Sequence, residues 1–106
     1  MMSRSSTITD PDRLDNEHAG QLLVTEFLEP ADLDVPQLAE AIGVSPERVA
    51  SVIDGARPMD AELDLRLARY FRMSEGFFLR LQERYEIVAA KRSLNGALDR
   101  IVPRAA

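Results

Sequence analysis

The chain has 106 residues, 45% of them hydrophobic and 29% charged, and a formal net charge of −5, which suits one globular domain with a modest core. It has no cysteine, which excludes disulfides, thiolate metal sites and cysteine nucleophiles, and no apolar run approaches the roughly 18–20 residues that span a bilayer. A soluble, cytoplasmic protein is expected; its acidic balance disfavours nonspecific coating of nucleic acid, because counterion release needs a positive surface, and suits a basic protein partner.

Residues 1–16 are rich in Ser, Thr, Asp and Arg and scarcely apolar, so they bury too little surface to offset ordering entropy and are expected to form a flexible tail. A domain over 17–91 follows. Its first helix starts near Ala19, where Leu23 with Phe27 and Val24 with Leu28 make apolar pairs four apart, and Pro30 closes it. Asp34 is the expected N-cap of a second helix, with Pro36 tolerable in its first turn and Leu38, Ala39 and Ile42 on one face.

Gly43 then stops that helix, Val44 drops toward the core, and Ser45-Pro46 begins a third helix as N-cap and first helical residue. Val49, Val52 and Ile53 are its inward face, and Asp54-Gly55 ends it. Two short helices around a glycine turn are either a helix-turn-helix or simply two packed core helices. In the first reading the third helix lies in a DNA major groove with Glu47, Arg48 and Ser51 outward. Glu47 would accept from a cytosine amino group and Ser51 would bond several bases, while Arg48 and Arg57 hold phosphates beside the Ser45 cap.

A loop leads to Asp60, the expected cap of helix four, which carries Leu63, Leu67, Ala68 and Phe71 inward and Arg66, Arg69 and Arg72 mostly off that stripe. Ser74 is expected to cap helix five, with Glu75 favourably placed at its positive end. Phe77, Phe78, Leu81, Tyr85 and Val88 form a stripe with more aromatic bulk than a core of this size needs; it fits a dimer interface over Phe77, Phe78, Leu81 and Tyr85, and fits burial in the core as well. A segment over 92–106, with Leu94, Leu98 and Ile101 at helical spacing, is expected to add a short C-terminal helix ended by Pro103. The fold class is therefore all-α, five helices with a short sixth. No catalytic residue is assigned: His18 is the only histidine and suits a helix start, the acids are dispersed, and neither a phosphate loop nor metal-ligand spacing appears, so no enzyme, metal or cofactor is expected.

Over about His18 to Ile87 the chain resembles the HigA/VapI-type antitoxins of the phage-repressor-like helix-turn-helix superfamily. The resemblance rests on His18-Ala19-Gly20, Glu26-Phe27-Leu28-Glu29-Pro30, Leu38-Ala39 with Gly43-Val44-Ser45, and Asp54-Gly55. Its most specific part is Leu65 to Phe71, followed by Ser74, Phe77 to Leu81, Gln82 and Tyr85. It implies a homodimeric antitoxin that binds an inverted-repeat operator in double-stranded DNA, represses its own operon and neutralises a HigB-type messenger-RNA-cleaving toxin. The chain departs from the family at Val35, Pro46 and Glu47, where polar side chains often stand, and at Ala19 and Asp60, where proline and threonine are usual. Two alternatives stay open: a stand-alone helix-turn-helix regulator, and a protein-interaction module whose DNA binding has lapsed.

Overall fold

The computed structural model describes residues 16–105; apart from Asn16, the expected tail lies outside the described residues. Those residues form an all-helical domain of five helices with no strand. Helix α1 is continuous but not uniform: α-helical Ala19–Leu23 passes into a π-helical stretch, Val24–Leu28, and then into α-helical Glu29–Ala31. Helices α2, α3, α4 and α5 span Val35–Ile42, Pro46–Ile53, Ala61–Phe71 and Phe77–Leu94.

The start of α1 is set by His18, whose Nδ1 accepts from the amides of Gly20 and Gln21 at 3.0 and 3.3 Å while Gln21 Oε1 accepts from the His18 amide. This reciprocal box satisfies donors that the helix itself leaves open. Helix α1 ends at Ala31, one residue past the expected stop at Pro30. A proline has no N–H and crowds the carbonyl four residues back; the wider π turn just before it, closed by Glu29 N–H donating to Val24 O, lets the helix continue to Ala31. Asp32, at φ 56°, then ends it, and Leu33 N–H reaches back to Leu28 O at 3.0 Å.

The widened turn also carries Phe27 into the aromatic centre of the core. Its ring lies 4.9 Å from Phe71, 5.0 Å from Phe78 and 5.9 Å from Phe77, so all four phenylalanines of the chain pack together in tilted and edge-on contacts. Around them Leu23, Leu28, Leu38, Val49, Val52, Leu63 and Leu67 are buried. These come from α1 to α4, and Phe78 adds α5.

Helix α1 lies directly on α3 because Gly20 has no side chain. A Cβ there would stand 2.0 Å from Val52 O and 2.8 Å from Ile53 Cα, both backbone atoms that cannot move aside. Only glycine permits this approach.

Helix α5 starts differently from expectation. Ser74 does not cap it; Ser74 Oγ accepts from Arg80 Nη2 at 2.9 Å, and the residue before the helix is Gly76, at φ 90°. The cap comes from another helix. Asp64 of α4, 1% exposed, accepts from the amides of Gly76 at 2.7 Å, Phe78 at 2.7 Å and Leu79 at 3.1 Å. A buried carboxylate outcompetes an exposed hydroxyl here, because charge-assisted bonds in a low-dielectric site are the stronger ones. The far end also differs: α5 continues unbroken to Leu94, into the segment expected to form a separate short helix. Asn95 and Gly96, at φ 45° and 87°, then turn the chain into a single 3-10 turn, Ala97–Arg100, in place of a short α-helix.

Two substitutions follow from this packing. Gly20→Ala gains helix propensity of about 1 kcal/mol but overpacks against backbone, at a cost of about 1–3 kcal/mol or more, so a net loss of stability is expected. Asp64→Asn keeps the shape but turns an amide N–H₂ toward a donor, and is expected to lose about 2–4 kcal/mol. Urea unfolding measures both; wild-type midpoints would refute the two roles.

Candidate nucleic-acid interface

The turn between α2 and α3 forms as the sequence suggests. Asp34 Oδ1 accepts from Gln37 N–H at 2.8 Å and Gln37 Oε1 accepts from Asp34 N–H at 2.9 Å, fixing the start of α2. At its end Gly43 takes φ 77°, and Val44 N–H reaches Ala39 O at 3.0 Å, which turns the chain sharply and half-buries Val44. Ser45 Oγ then accepts from Arg48 N–H at 3.2 Å and Pro46 opens α3. The inward face of α3, Val49 and Val52, is fully buried and Ile53 is half-buried, so the opposite face at its N-terminal end is the one presented outward.

The five expected contacts do not share one environment. Glu47 and Arg57 are exposed, and neither side chain makes a hydrogen bond or ion pair among the described residues. Ser45 is exposed, with its hydroxyl oxygen engaged as the cap. Ser51 is half-buried and its hydroxyl donates to Arg48 O at 2.8 Å, which leaves its oxygen only as an acceptor toward a base.

Arg48 is held inside the chain. Its Nη2 meets Asp60 Oδ1 and Oδ2 at 2.9 and 3.0 Å and its Nη1 meets Glu62 Oε1 at 3.2 Å, with the guanidinium side chain 22% exposed. Two carboxylates therefore engage both terminal nitrogens, and a phosphate would compete with them there. The hydrogen bond to Glu62 is the largest cause that raises the Arg48 pKa, ahead of the bond to Asp60. Glu62 is held below its ordinary value, first by its hydrogen bond from Arg48 and then by that from Arg66. Asp60 is also lowered, chiefly because the Leu63 amide donates to it as the N-cap of α4, with Arg48 adding to the effect.

The sequence shows Asp60 and Glu62 among acids interleaved with Arg48 and Arg66, which argues against a clean basic face, but it identifies Asp60 only as a cap and neither acid as a partner of Arg48. A further signal was the four-residue spacing of Glu62 and Arg66, which are joined at 3.1 Å. Of the four residues expected at a dimer interface, Phe78 is 0% exposed: it fills the core under α1 and α4 and offers no surface to a partner. Phe77, Leu81 and Tyr85 are half-buried, Phe77 and Leu81 against that core. Tyr85 meets the His18 ring edge-on at 5.7 Å, and its carbonyl accepts from Asn16 Nδ2 at 2.8 Å. The larger exposed apolar groups of α5 lie further on, at Ile87 and Leu94.

No protein-family model matches the chain. Virulence-associated protein I of Dichelobacter nodosus is 36% identical over 81 residues, which cover 74% of this chain and 75% of that protein. The chain belongs to the HigA/VapI family of helix-turn-helix antitoxins. The Pseudomonas aeruginosa antitoxin HigA, solved with the higBA promoter, superposes with a TM-score of 0.76 at 28% identity, covering 87% of this chain and all of that one. The Pseudomonas aeruginosa protein PA4674, solved in complex with its operator DNA, gives a TM-score of 0.79 at 32% identity over 85% of this chain and 96% of that one. The HigA/VapI antitoxins are helix-turn-helix regulators and not enzymes, and no described helix of this member is long and apolar enough to cross a membrane.

Asp60, as the cap of α4 and a partner of Arg48, gives a pH dependence with a definite sign. The Asp60 carboxyl is lowered in the folded chain, so it contributes stability that is whole above its ordinary value near 3.8 and is lost as the pH falls through the lower folded value. Asp60→Asn still caps α4 but no longer titrates. Stability of this variant is expected to fall less steeply than wild type below about pH 4, measured by urea unfolding across pH. Parallel curves would disprove the assignment.

Proposed function

We propose that the chain is a sequence-specific DNA-binding repressor and antitoxin of a HigBA-type operon. The observation that carries this reading is the outward N-terminal turn of α3, braced by α2 through a capped glycine turn, in a fold shared with relatives solved on promoter and operator DNA. In this reading Glu47 and Ser51 face base edges, Ser45 and Arg57 approach phosphates, and Arg48 joins them only by leaving Asp60 and Glu62. Toxin neutralisation rests on the family, and the chain's net charge of −5 suits a basic nuclease partner.

A second reading, a protein-interaction module without DNA binding, is favoured by one specific observation. The cation nearest the start of the recognition helix is already neutralised by two acids.

The experiment that separates them is a gel shift with the chain's own upstream DNA, with scrambled duplex as competitor. Specific retention is expected, and no preference over scrambled DNA would sink the repressor reading. Arg57→Ala should weaken binding across sequences and reduce the log-log salt slope by about one. Glu62→Gln removes one competitor for Arg48 and should tighten binding several-fold.

The operator-bound form is proposed to be a homodimer through α5, with half-sites about one helical turn apart. With Phe78 in the core, the surface that remains is Phe77, Leu81 and Tyr85 together with Ile87 and Leu94, the last two seven residues apart and 48% and 42% exposed. Ile87→Glu is expected to give a folded monomer by sedimentation. A wild type that is already monomeric at micromolar concentration would reject the dimer.

A further inference from the structure

The end of α2 and the outer face of α4 border an open cleft of about 580 Å³ lined by Ile42, Leu65, Arg66, Arg69, Tyr70 and Arg72. In a chain with a net charge of −5, its lining holds three guanidinium groups and no carboxylate. The three differ in what they already do. Arg66 is committed: its Nη1 donates to Ile42 O at 2.7 Å, neutralising the negative end of α2, and its Nη2 meets Glu62 at 3.1 Å. Arg69 and Arg72 are exposed, and neither side chain makes a hydrogen bond or ion pair among the described residues.

Arg72 also stands at φ 61°, in the left-handed conformation that ends α4, where glycine would serve the turn at less conformational cost. Apart from the arginines and the Tyr70 hydroxyl, the lining is apolar. Leu65 is 48% exposed and Tyr70 42% exposed, although both sit on a helix whose other apolar side chains are largely buried.

We propose that this cleft docks an acidic, amphipathic peptide segment of a partner protein, its carboxylates on Arg69 and Arg72 and its apolar side chains on Leu65 and Tyr70. Arginine forks fit carboxylates bidentately, and the volume lies within the roughly 300–1,000 Å³ of ordinary binding clefts. A phosphodiester backbone satisfies the two arginines but leaves Leu65 uncovered, whereas alternating acidic and apolar side chains match both halves of the lining. None of these residues belongs to the face assigned to base or phosphate contact. The proposal therefore does not rest on the contacts assigned to DNA.

The test is fluorescence anisotropy of the full chain with a labelled peptide of alternating glutamate and leucine, beside its counterpart of glutamine and leucine. The glutamate peptide is expected to bind. Its affinity should drop about tenfold, or ~1.4 kcal/mol, in Arg69→Ala/Arg72→Asn, and several-fold in Leu65→Ala/Tyr70→Ala. Asn at 72 tolerates the left-handed turn, and circular dichroism checks that each variant is folded. Arg84→Ala/Arg104→Ala, which removes the same charge elsewhere, should bind as wild type does. The proposal is overturned if neither peptide binds, if the glutamine peptide binds equally well, or if the Arg84→Ala/Arg104→Ala variant loses as much. It is also overturned if Arg69→Ala/Arg72→Asn loses duplex DNA while retaining the peptide, which would give the cleft to nucleic acid.

Discussion

The fold turns on one buried carboxylate. Asp64 stands in the first turn of α4 and simultaneously accepts three amides at the start of α5, so one negative charge faces the positive ends of two helices. Burying a carboxylate is costly unless its oxygens are satisfied, and here the satisfaction is itself the joint between the helices. The angle at which α5 leaves α4 is thereby fixed, which places Phe77 and Phe78 against Phe27 and sends the rest of α5 out of the core.

Helix α4 repeats this role along its length. Asp60 caps α4 and holds Arg48 of α3; Glu62 holds Arg48 a second time; Asp64 seats α5; Arg66 covers the last carbonyls of α2. These four residues, two apart in sequence, tie one helix to three others. The recognition helix is thus held from two sides, by charge from α4 and by backbone contact with α1 at Gly20. A domain this small gains rigidity from such joints that its modest apolar core alone does not supply.

Local chemistry was legible in the sequence where it was self-contained. The caps at Asp34, Ser45 and Asp60, the glycine turn at Gly43 and the apolar faces of α2 to α4 depend on residues within one or two turns of each other, and the structure has each of them. What escaped was everything decided by a partner distant in sequence. Ser74 has all the local marks of an N-cap and loses the position to Asp64, twelve residues before Gly76. Phe78 lies on a stripe that fits an interface as well as a core, and only the packing of α1 across α5 makes it the latter.

The same distinction applies to the candidate site. An arginine three residues into a recognition helix looks like a phosphate contact because sequence reveals its helix and not its neighbours. Once Asp60 and Glu62 are seen on its guanidinium, the local charge of the surface proposed to meet DNA changes sign, since the pair removes one cation and adds a competing anion. A binder built this way gives up nonspecific attraction. Any duplex that attaches must recover that loss through contacts at the base edges, so an acidic chain with a locked arginine is disposed toward selectivity rather than toward strength.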